Sequence, residues 1–128
     1  MRGYSRNLRK EIVKTSKWYF YDNGIRNAIL SDFSSISVRK DMGELWENYI
    51  IAERIKMNGN RQRNNRYYFW RTYDQQEIDL IEVHENQVYA FEIKWGAKPV
   101  KVPVAFRNAY PEASFQAITP DNYLNFIT

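Results

Sequence analysis

The chain has 128 residues, 44% of them hydrophobic and 16% aromatic, and a formal net charge of +4. That length suits a single domain with one core, and so many aromatics exclude a disordered segment. There is no cysteine and one histidine, His84, which excludes disulfide frameworks, thiolate metal sites and histidine-rich zinc sites, so any metal must be held by oxygen.

No apolar run approaches the roughly 20 residues of a membrane helix, and the basic N-terminus lacks the apolar stretch of a signal peptide. The expectation is a cytoplasmic protein with no membrane partner. A pI near 9.3 is compatible with nucleic acid without requiring it.

Residues 1–16 are basic, with Leu8, Ile12 and Val13 on one face of a short helix. Lys17–Tyr21 (KWYFY) reads as a strand ended by the turn signal Asp22, Asn23, Gly24, and Ile25, Ala28 and Ile29 follow at helical spacing before Ser31. Asp41 is placed to cap the next helix, with Glu44 at capping-box spacing. That helix is expected to run to about Met57, to end at Asn58 and Gly59, and to bury Leu45, Trp46, Tyr49, Ile50, Ile51, Ala52 and Ile55. Glu47 sits among them with Ile50 and Ile51 at i+3 and i+4, so no cation at those spacings answers its charge.

Gly59–Arg66 (GNRQRNNR) is a loop by composition, and Arg61, Arg63 and Arg66 are its candidate contacts to phosphate. A solvated loop is the plain alternative. Tyr67–Trp70 reads as a strand and Thr72–Gln76 as a turn into residues 77–96, EIDLIEVHENQVYAFEIKWG, a hairpin about Glu85 and Asn86. Symmetry then sets Val83 opposite Val88, Ile81 opposite Ala90, Asp79 opposite Glu92 and Glu77 opposite Lys94. Strand alternation places Ile78, Leu80, Glu82, Tyr89, Phe91, Ile93 and Trp95 on one face. The other face carries Ile81, Val83, Val88 and Ala90, then Glu77, Asp79, Glu92 and Lys94 together. Two carboxylates directly opposite each other repel, which points to a bridging cation; the alternative is a solvated face on which Lys94 neutralises both acids.

After Gly96, Pro103 stands at a first helical position with Phe106 and Ala109 inward and Pro111 as a stop. Ser114–Thr119 reads as a strand and Tyr123–Ile127 as a last short apolar element. The chain has no internal repeat and no phosphate-cradling glycine-rich loop.

A helix bearing Glu47, a strand, a hairpin bearing Asp79 and Glu92-x-Lys94, a helix and a strand form an order that resembles the PD-(D/E)xK nuclease superfamily. More closely, the chain resembles a domain of unknown function found C-terminal to AAA+ ATPase modules in bacteria and archaea. The residues carrying this are RNLRKEI (6–12), YFYDNGIRNAIL (19–30), GELWENYIIAERI (43–55), YYFWRT (67–72), EIDLI (77–81) and FEIKWG (91–96). Ile78 departs from the pattern, standing where the superfamily's name has proline. The resemblance implies an α/β, restriction-endonuclease-like core, a mixed central sheet flanked by helices, spanning residues 1–128 as one domain. It also implies a fragment of a longer protein whose ATPase module would be a partner.

The chemistry expected of such a site follows from its groups. Glu47, Asp79 and Glu92 would hold Mg2+ or Mn2+, which polarises a phosphodiester and acidifies a water, while Lys94 orients that water and stabilises developing negative charge. The expected function is therefore metal-dependent cleavage of nucleic acid, DNA among the candidates, in concert with the ATPase. A catalytically silent binding or assembly module on the same fold is the alternative, and self-association stays open.

Overall fold

The structure, a computed structural model, describes residues 1–5, 42–96 and 99–128. The expected elements of residues 6–31 and the Asp41 cap lie outside the described residues.

The described elements are β1 (Arg2–Gly3), α1 (Met42–Asn60), β2 (Arg66–Arg71), β3 (Glu77–His84), β4 (Gln87–Ile93), α2 (Val104–Ala109), β5 (Ser114–Ile118) and α3 (Tyr123–Ile127). The strands form one mixed sheet in the order β1-β2-β3-β4-β5, antiparallel across β2, β3 and β4 and parallel at both ends. The 77–93 hairpin is therefore internal to the sheet, as its apolar composition demands.

Helices cover both faces. On one, Trp46, Ile50 and Ile51 of α1 and Phe126 of α3 pack against Leu80, Phe91, Ile93 and Ile118. On the other, Phe106 of α2 and the following Tyr110 pack against Trp70, Ile81, Val83 and Ala90. Ala109, expected inward, is exposed, and Tyr110 is the second anchor in its place. Ile55, expected in the core, is also exposed, at 37%.

The hairpin register is as the sequence implies, with Ile81 paired to Ala90 and Val83 to Val88. Glu85 and Asn86 both have positive φ, 51° and 65°, as a two-residue type I′ turn requires. The other edge of β3 departs from simple alternation. Tyr68 pairs with Ile81 and Trp70 with Ile78, so β3 carries one residue more than β2 across this step, a β-bulge. The bulge turns Ile78 to the α2 face beside Ile81, rather than to the Leu80 face expected of it. Glu77 meets Arg71 at 3.3 Å, and its charge also acts on Glu92.

Helix α1 runs through Asn58 and Gly59, where an end was expected. Its C-terminus is a Schellman arrangement, with Arg63 N–H donating to Asn58 O and Gln62 N–H to Gly59 O, each at 3.0 Å. Gln62 takes the left-handed conformation, φ 55°, that usually falls to glycine.

Candidate active site

Asp79 lies in the bulge at the point where β3 and β4 part. The paired register between them ends at Leu80 and Phe91, and beyond it the Asp79 carboxylate accepts the Ile93 N–H at 2.8 Å. A side chain thus takes the place of a ladder carbonyl. The same carboxyl is hydrogen-bonded to that of Glu92. A hydrogen bond between two carboxyls needs a proton on one of them, so the contact favours a shared proton over two full charges.

Burial pushes the Glu92 carboxyl above the ordinary glutamate range. The Asp79 hydrogen bond and the Lys94 charge pull it down, while Glu77 and Glu47 push it further up. Glu47, half-buried on α1, therefore acts on Glu92 through its field. Among the described residues, no three acidic or histidine side chains are grouped to hold a metal. The structure brings Asp79 and Glu92 into contact and leaves Glu47 outside direct ligation.

Lys94 follows the end of β4, its backbone N–H bonded to Ile118 O at 2.8 Å and its side chain exposed. Among the described residues it forms no ion pair, so the acids are not locked to it in a salt bridge. Next to it Trp95, 44% exposed, lies edge-on against Trp46, with ring centres 5.3 Å apart.

The three loop arginines diverge. Arg61 is tied to the Thr128 carbonyl, and Arg63 borders a pocket with Glu82 and His84. Arg66 pairs with Val83 and, two residues before Tyr68, belongs to the α2 face. Val83 is four residues along β3 from Asp79, roughly 13 Å at strand spacing. The basic loop is thus at the far end of the sheet from the carboxyl pair.

Sequence reading missed a second polar centre. Glu82, 1% exposed, receives Arg54 Nε at 2.7 Å and Nη2 at 3.0 Å. Arg54 also donates to Phe126 O and lies over the Phe126 ring at 4.2 Å. Asn65 Nδ2 completes the carboxylate's shell at 3.1 Å. The signal was present in α1, where the inward row Trp46, Ile50 continues at i+4 spacing into Arg54 and Asn58.

Residues 42–119 match the domain of unknown function DUF4143. The chain belongs to that family. It is also similar to two uncharacterised proteins, Mb2031c of Mycobacterium bovis and Rv2008c of Mycobacterium tuberculosis, each 25% identical over 95 residues. Those alignments cover 73% of this chain and 21% of either relative, so the chain spans about a fifth of their length. No solved structure matches the chain. No helix among the described residues is long and apolar enough to cross a membrane.

Proposed function

We propose that this DUF4143 domain is a metal-dependent nuclease of the PD-(D/E)xK type that acts on nucleic acid phosphodiesters beside an AAA+ ATPase module. The observation that carries the reading is the contact between Asp79 and Glu92 at the parting of two internal strands, with the exposed Lys94 two residues on and its charge acting on Glu92. A sheet under selection for stability alone gains little from two opposed acids. Bulges are enriched next to active sites because they re-aim a side chain, and this one carries Asp79.

The donor set fits a hard cation. Two carboxylates and water suit Mg2+ or Mn2+, which keep several waters and use one or two protein carboxylates. When bound, such an ion supplies Lewis-acid polarisation of a phosphodiester oxygen. The residues of this chain do the rest. Asp79 and Glu92 position the charge, and the ion competes with the proton that burial favours on Glu92. The exposed Lys94 ammonium is free to meet a phosphate and to stabilise negative charge as it develops. Glu47 reinforces the negative field without direct ligation.

The test is incubation of the chain with manganese and single- or double-stranded DNA, alongside calorimetry with the metal alone. Metal binding that disappears in Asp79→Ala, and cleavage abolished in Lys94→Ala, are the expected results. Cleavage that persists in Lys94→Ala would point to a contaminant. No binding at millimolar metal would leave the second reading, a silent assembly module, which the hydrogen bond from Ile93 N–H to Asp79 favours because it gives that acid a structural role.

A further inference from the structure

Strand β4 leads out of the carboxyl site into Trp95, three residues beyond Glu92. The backbone is held there by the bond from Lys94 N–H to Ile118 O at 2.8 Å. The Trp95 ring lies at 62° to that of Trp46, with centres 5.3 Å apart. Trp46 is itself fixed: it is 7% exposed, belongs to the core between α1 and the sheet, and packs on Tyr123 with ring centres 5.1 Å apart. Trp95 thus has an ordered wall behind it while 44% of it stays in water. Trp46 directly precedes Glu47, whose field reaches Glu92, so the two indoles border the α1 side of the carboxyl site.

A single exposed hydrophobic residue is ordinary, and its placement is what counts here. Val104 and Leu124 are more exposed, at 70% and 58%, but they offer no flat face. Trp95 offers one beside a cation. Lys94, its chain neighbour, is exposed, and its charge acts on Glu92. The three loop arginines are at the far end of the sheet, so Lys94 is the one of these candidate phosphate contacts that adjoins the carboxyl pair. One cation grips a polyanion weakly, and stacking on an indole supplies what charge does not. In a duplex the faces of the bases are covered by their neighbours, so only an unpaired base has a face to give. We propose that Trp95 is a stacking platform for an unpaired base beside the carboxyl pair, which makes single-stranded nucleic acid the substrate class of this site. The base lies on the solvent side of the indole, and Lys94 meets the phosphate next to it. This role rests on the nuclease reading for the chemistry of the site and adds which form of strand is admitted.

Binding is read with the whole chain in chelator, by anisotropy of labelled DNA, and cleavage is read separately with manganese. A thymidine oligomer of about 15 nucleotides should bind more tightly than a duplex or an abasic strand of the same length. Trp95→Leu keeps an apolar cover on Trp46 but has no aromatic face. It should weaken binding of the oligomer about fivefold or more and leave duplex and abasic binding unchanged, and Trp95→Phe should restore most of the loss. Lys94→Ala should weaken all three alike. Tighter binding of the duplex, equal binding of the normal and abasic strands, or a loss in Trp95→Leu as large for duplex as for single strand would overturn the platform. Trp95-dependent binding of single strands without cleavage would overturn the nuclease reading and uphold the platform. Cleavage of both forms alike, unchanged in Trp95→Leu, would do the reverse.

Discussion

The Asp79 carboxyl serves two neighbours, a backbone N–H that β4 would otherwise leave unmet and the carboxyl of Glu92. These roles separate by substitution. Asp79→Ala orphans the buried Ile93 N–H and should destabilise the metal-free protein by about 1–3 kcal/mol in chemical denaturation. Asp79→Asn keeps an acceptor for that N–H and offers a donor to Glu92, so it should be near neutral with chelator present. A loss as large as that of the alanine variant would show that the charge itself holds the strands. Glu92 gives a pH signature of definite sign. Its folded pKa is raised, chiefly by burial, so the native state binds more protons than the unfolded chain just above the ordinary carboxylate range. Its contribution is fully present below the unfolded value and is lost as pH rises through the folded one. Stability in chelator should fall over that window, and Glu92→Gln should flatten the fall; an unchanged slope would show that Glu92 does not titrate there. The β3–β4 register as far as Leu80 and Phe91 was legible because period-two alternation and a two-residue turn fix it, whereas the parting of the strands beside Asp79 and Glu92 was not. The distance of Glu47 from direct ligation was not, because nothing in a helical repeat says how far the helix stands from the sheet.

Elements were legible where one local rule governed them. The position of the two-residue turn and the β3–β4 register follow from the apolar pattern and the polar residues that interrupt it. The bulge in β3 did not show, because it replaces strict alternation by one extra residue without any glycine or proline to mark it. The end of α1 was misplaced for a related reason. Asn58 and Gly59 look like a stop, yet Asn58 is fully buried and donates to the Tyr67 hydroxyl at 3.0 Å, so tertiary packing carries the helix onward. Two substitutions check this. Gly59 has no positive φ and open space where a methyl group would project, so Gly59→Ala should stabilise by up to about 1 kcal/mol. Gln62→Gly should also stabilise, by roughly 0.4–1 kcal/mol, because it relieves the left-handed residue. If the helix ended at Gly59, Gly59→Ala would instead destabilise. The Arg54–Glu82 pair ties α1 to β3 with side-chain exposures of 14% and 2%. Removing one partner, as in Arg54→Met, should cost about 3–5 kcal/mol, whereas replacing both with apolar residues should recover much of it. Comparable melting of the single and double variants would mean that the charges are not uncompensated when separated.

At the scale of the whole molecule, strands from both ends of the described chain meet in one sheet, and the carboxyl pair sits where its central strands diverge. The helix–strand–hairpin–helix–strand order made the mixed sheet with helices on both faces legible from the sequence; the parallel β1 edge was not, since Arg2–Gly3 carries no strand pattern and takes its place by pairing with Tyr68 and Phe69. A cation bound between Asp79 and Glu92 would fasten this parting of β3 and β4, so binding and folding are linked. A ligand that binds the native state alone stabilises by about 2.7 kcal/mol at a hundredfold excess over its dissociation constant. Manganese or magnesium should therefore raise the melting temperature by several degrees, and Asp79→Asn should abolish the rise. Because the ion competes with the proton that burial favours on Glu92, the rise should shrink as pH falls toward the carboxylate range, opposite in sign to the pH dependence of the metal-free protein. A rise that does not change with pH there, or one that survives in Asp79→Asn, would place the ion elsewhere on the chain and separate the carboxyl pair from metal chemistry.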